Sequence, residues 1–109
     1  MECGHVGILT VDLHLPVGGS LKAKRKELLR VKSALGRRFA CAVAEVDHHE
    51  LWQRSRLTLA LVGRTASETD ARLAEIVRFL HCDEAFQVVG ESAEVVAVEG
   101  DSPRTWALG

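Results

Sequence analysis

The order in which two hydrophobic periods replace one another constrains this chain more than any other feature. Residues 5–15 read HVGILTVDLHL. Leu9, Val11, Leu13 and Leu15 alternate with Thr10, Asp12 and His14, the period of two of a half-buried strand. Pro16-Val17-Gly18-Gly19 ends the run, and Ser20 is placed to cap a helix. From Leu21 to Arg38 the period changes. Leu21, Leu28, Val31 and Leu35 fall within an arc of about 80° at ~100° per residue, with Lys22, Lys26, Arg30, Ser33 and Arg37 opposite. Gly36 weakens the last turn, and Arg37-Arg38 suits a helix C-terminus. Phe39 to Asp47 is β-like despite its alanines, and 48–54 is a connecting loop or a strand extension. Leu57 to Val62 alternates again until Gly63-Arg64 breaks it. Thr65 with Glu68, or Ser67 with Asp70, offers a capping box. Leu73, Ile76, Val77 and Leu80 mark a second helix ending near His81. Ala85 to Glu99 is valine-rich: one long bent strand, or two segments meeting at a bulge near Gly90.

The order β-α-β-β-α-β is the α+β, ferredoxin-like arrangement. Right-handed crossovers place both helices on one face of a four-stranded antiparallel sheet. Leu9, Val11, Leu13, Leu57, Leu59 and Leu61 are expected to face the helices. Thr10, Asp12, His14, Thr58 and Ala60 then line the open face. In the second strand Ala42, Ala44 and Val46 are assigned to the core, leaving Cys41, Val43, Glu45 and Asp47 open.

With 109 residues, 47% hydrophobic and 27% charged, the chain is expected to form one domain over 1–109. Its core spans about 5–99, and 100–109 forms a loosely ordered tail in which Trp106 could dock. No apolar run approaches the ~18 residues of a membrane span. No basic segment followed by an apolar stretch opens the chain, so no signal peptide is expected. Cys3, Cys41 and Cys82 include no C-x-x-C and read as reduced thiols of a cytoplasmic protein, with Cys41 and Cys82 in the core.

A net charge of −1 argues against a nucleic-acid partner until it is divided. Residues 20–38 hold Lys22, Lys24, Arg25, Lys26, Arg30, Lys32, Arg37 and Arg38 against Glu27 alone: eight cations less one acid is +7. The rest of the chain must then carry −8. Clustered cations on one element are the footprint of phosphate binding, which sets affinity and not sequence choice. The alternative is a solvated face whose cationic stems cover apolar surface. Lys22, Lys24, Arg25, Lys26, Arg30, Arg37 and Arg38 are therefore the candidate nucleic-acid-binding residues.

Other constellations carry less. RNA-recognition motifs share this topology and stack bases on central-strand aromatics. This chain has no tyrosine, and Phe39, Phe79 and Phe86 are not expected mid-strand on the open face. That face of small and β-branched residues suits a second copy of the chain instead. His14, Glu45, Asp47, His48, His49 and Glu50 form no H-x-x-x-H or H-E-x-x-H spacing. No metal site, cofactor or catalytic residue is assigned, and the chain is read as non-enzymatic.

Three stretches carry a family likeness: V-G-I-L-T-V-D-L-H-L in the first strand, S-L-K-A-K-R opening the first helix, and A-E-V-D-H-H-E-L-W-Q-R at 44–54. The chain resembles the YlxP-like family of small bacterial proteins, domain of unknown function 503, over about 5–99. The resemblance implies a ferredoxin-like fold, a cytoplasmic location and no established activity. It also implies a role near ribosomal RNA, because members tend to be encoded beside translation and ribosome-maturation genes. The expected function is an accessory factor contacting ribosomal RNA or a ribosomal precursor through the basic helix. The alternative is a homodimeric interaction module using the open face and a loop in which Trp52, Gln53 and Arg54 contact the partner.

Overall fold

The computed structural model describes residues 3–16 and 19–99. The expectations for the tail and Trp106 lie outside these residues. Six elements follow in order: β1 (His5–His14), α1 (Leu21–Phe39), β2 (Ala42–Asp47), β3 (Arg54–Gly63), α2 (Ala66–His81) and β4 (Gln87–Ala97). They form one antiparallel sheet of order β2-β3-β1-β4, the ferredoxin-like topology expected from the periods. No helix among the described residues is long and apolar enough to cross a membrane.

The alternation of β1 and β3 decides which face meets the helices. Leu9 pairs with Leu59, Val11 with Leu57 and Gly7 with Leu61, so both strands send their leucines to one side. There they pack on Leu28, Val31, Leu35 and Phe39 of α1 and Leu73, Ile76 and Leu80 of α2. The opposite face carries Thr10 hydrogen-bonded to Thr58 at 2.9 Å, and Asp12 accepting from Arg56 at 2.7 Å. α2 comes closest where β1 and β3 are thinnest. A Cβ added to Gly7 would lie 2.8 Å from the Thr69 methyl carbon, and one on Gly63 would overlap the same side chain.

The caps are local and follow from sequence. The Ser20 side chain accepts from the Ala23 amide at 3.1 Å, and Thr65 accepts from Glu68 at the same distance. α1 passes through Gly36 and ends when Ala40 turns left-handed, φ 52°, returning its amide to the Gly36 carbonyl. The expected bulge is present: Leu13 pairs with Val88 but Asp12 pairs with Gly90, so Val89 is the extra residue of a continuous β4.

The second strand corrects the expected phase. Val43 and Glu45 sit opposite Leu59 and Leu57 and face the helix layer, whereas Ala42, Ala44 and Val46 are exposed. Alanine methyls bury too little surface to set the register. Cys41 and Val43, packed against the core, set it instead. A shift between Glu45 and Asp47 then leaves Val46 unpaired and outward. Cys82 is exposed, because α2 ends one residue before it and the core-facing period stops at Leu80.

Candidate nucleic-acid interface

α1 carries all seven candidate phosphate-binding residues, and the fold sorts them into three groups. Lys24 is not on the solvent side. It is 3% exposed, on the packed side of the helix. Its ammonium donates to the carbonyls of His48 and Leu51, both at 2.6 Å, and pairs with the Glu45 carboxylate at 2.9 Å. Three acceptors satisfy its three protons, which is what allows the charge to be buried. Glu45 also accepts from the buried Ser55 hydroxyl at 2.7 Å. Burial alone would raise the Glu45 carboxyl, but hydrogen bonds from Lys24 and Ser55 and the Lys24 charge hold it below its usual value.

Arg30 is exposed but already paired. Its guanidinium grips Asp83 through two bonds of 3.0 Å and meets Glu27 at 2.9 Å. The bidentate pair ties mid-α1 to the segment after α2 and uses the fork a phosphate would need. Of the expected phosphate-binding residues, Arg30 is thus the exposed one whose fork is already engaged.

Lys22, Arg25, Lys26, Arg37 and Arg38 are exposed and make no ion pair with the described residues. Lys22, Arg25 and Lys26 surround Leu29, itself 64% exposed. The first turn of α1 holds no acid. Three cations thus stand at the positive end of the helix dipole with no local compensation. Arg37 donates to the Ser33 carbonyl at 3.3 Å, and Arg38 lies over the Phe39 and Phe79 rings.

The loop after β2 is fixed through its backbone. Lys24 holds two of its carbonyls, and the Gln53 carbonyl accepts from the Leu15 amide at 2.8 Å. Gln53 and Arg54 are exposed, Leu51 is half exposed, and Trp52 is half-buried. Arg56 does not extend the basic surface, since it pairs with Asp12 and, at 3.5 Å, with Asp47 on the open face. Glu45 faces the helices while Asp47 pairs with Arg56, so these two carboxylates do not act together. Among the described residues no three of His, Cys, Asp and Glu converge as metal ligands.

The family model described as "Protein of unknown function (DUF503)" matches residues 6–92. The chain belongs to the DUF503 family. It is similar to the uncharacterized protein YlxP of Bacillus subtilis (strain 168), 29% identical over 75 residues, which cover 69% of this chain and 82% of that protein. It also aligns with the crystal structure of a dimeric ferredoxin-like protein from an uncultured marine organism. That alignment has a TM-score of 0.42 and 10% identity, and covers 91% of this chain and 92% of the other.

All three motif stretches of this DUF503 protein lie inside the matched segment, and Lys24 joins two of them: it leaves from S-L-K-A-K-R and ends on the 44–54 segment. Its spacing carried the signal. Lys24 follows Leu21 by three and precedes Leu28 by four, placing it on the apolar arc.

Proposed function

We propose that the protein is a non-enzymatic accessory factor that contacts ribosomal RNA or a ribosomal precursor through the solvent side of α1. The observation that carries this reading is the unpaired state of Lys22, Arg25, Lys26, Arg37 and Arg38 among the described residues, on a molecule whose remaining charge is negative. Such a surface binds phosphate oxygens by counterion release. The acidic remainder limits nonspecific adhesion. Binding to ribosomal RNA, measured from low to high salt, is expected to fall with a log–log slope of roughly −3.5 to −4.5 for about five released counterions. No binding, or a flat salt response, overturns the reading.

A second reading is favoured by a different observation. Val62 is 69% exposed on the face no helix covers, and its cross-strand neighbours lead to Val6 and the 43% exposed Val96. A homodimer closing that face would hide them. Val62→Glu is expected to leave a mass-resolved chromatogram unchanged if the protein is monomeric, and to split a dimer if this face holds it.

A further inference from the structure

The C-terminal ends of α1 and α2 enclose a groove of about 590 Å³. Arg38, Phe39, Glu75, Arg78, Phe79 and Cys82 line it. Its volume lies within the range of pockets that hold small molecules. The Phe39 and Phe79 rings meet edge to face, with centroids 5.5 Å apart at 74°. The Arg38 guanidinium carbon sits 5.6 Å from the first centroid and 5.2 Å from the second. Stacking of this kind holds a guanidinium in place without consuming its N–H donors.

Arg38 and Arg78 make no ion pair with the described residues, so two cations and one carboxylate, Glu75, leave the groove with a net positive charge. Phe79 is half-buried and contributes apolar wall. Two phosphate-binding forks beside an aromatic wall match one chemical unit, a phosphate carrying an unstacked base. The placement favours the same occupant. Arg37 belongs to the exposed side of α1 with Lys22 and Lys26, and Arg38 follows it into the groove. A strand tracked along α1 is thereby delivered to Phe79.

We propose that this groove takes an unpaired nucleotide of the RNA that α1 contacts, Arg38 and Arg78 holding its phosphate and Phe79 meeting its base. This inference rests on the RNA reading of α1 and adds a preference that phosphate contact alone does not confer. In a duplex every base is already stacked and unavailable to an aromatic wall. The open sheet face, where related topologies stack bases, has no part in it.

Two measurements test the groove. The first is fluorescence anisotropy with a labelled single-stranded adenosine 12-mer and a blunt RNA duplex of equal length. The second is the alkylation rate of Cys82, an exposed thiol in the groove wall, followed by peptide mass spectrometry with each RNA present. The wild-type protein is expected to bind the single strand about tenfold more tightly, the scale of one base–aromatic contact. The single strand should slow Cys82 alkylation and the duplex should not. Arg78→Gln is expected to lose most of that preference while still binding duplex, and Phe79→Leu to do the same while remaining folded. Should Phe79→Leu unfold, Arg78→Gln and the thiol readout decide. Salt-sensitive binding that is equal for both RNAs, with Cys82 unprotected, overturns the groove and leaves the α1 reading standing. Absence of binding to either RNA overturns both.

Discussion

At the scale of single residues, Lys24 is the most consequential side chain. Lys24→Met keeps the stem but removes three donated bonds and strands Glu45 beside the buried Ser55. Breaking a buried pair from one side is expected to cost about 3 kcal/mol in urea unfolding. RNA affinity measured on the folded variant should stay near wild type, because the ammonium does not reach the surface. The same pair sets an acid limit. The folded Glu45 carboxyl lies below its ordinary value of 4.5, so the unfolded chain takes up the proton first as pH falls. The stabilisation is complete above pH 4.5 and lost as pH drops through the lower folded value. The stability gap between wild type and Glu45→Gln should close over that window. Ala40 gives a test of opposite sign. Its left-handed φ of 52° suits glycine, and Ala40→Gly is expected to raise stability by about 0.5–1 kcal/mol. The caps Ser20 and Thr65 were legible in the sequence because they act within one turn. The partner of Lys24 was not, because Glu45 and the two carbonyls come from 21 to 27 residues away.

At the scale of elements, α1 has two chemically separate sides whose cations sit in different environments. Lys22→Gln/Arg25→Gln/Lys26→Gln is expected to leave thermal stability within about 0.5 kcal/mol, since surface changes away from packed features cost little. It should flatten the salt slope of RNA binding by roughly two to three. Arg30→Gln should do the reverse. It leaves the slope nearly intact and costs on the order of 0.5–1 kcal/mol by releasing Asp83. The basic helix was legible as a charge count, but the count could not separate the tether from the exposed five. β2 shows the same limit. With Ala42 and Ala44 the alternation carried no amplitude, and the phase came from Val43 and Glu45 meeting residues of β3 and α1. α2 meets β1 and β3 through Gly7 and Gly63. Gly7→Ala is expected to destabilise by about 1–3 kcal/mol, measured by thermal melt, as its methyl drives into Thr69.

At the scale of the whole molecule, the helix layer and the open sheet face present different chemistry. The helix layer presents unpaired cations among the described residues, and the sheet face presents valines beside the closed pairs of Asp12 with Arg56 and Thr10 with Thr58. The two faces are distinguished only by whether a position along a strand is odd or even, and β4 breaks that rule once. Val88 and Val95 are seven residues apart, an odd interval that a regular strand would send to opposite faces, yet both pack against the core. The extra residue at Val89 reconciles them. Insertions and deletions in β4 therefore carry a sign. Loss of one residue between Val89 and Glu91 removes the bulge and keeps Val88 and Val95 on the core face, whereas loss of two turns Glu94 and Val96 inward and Val95 outward. Single and double deletions at 89–91, screened for soluble folded protein, should survive and fail respectively with that parity.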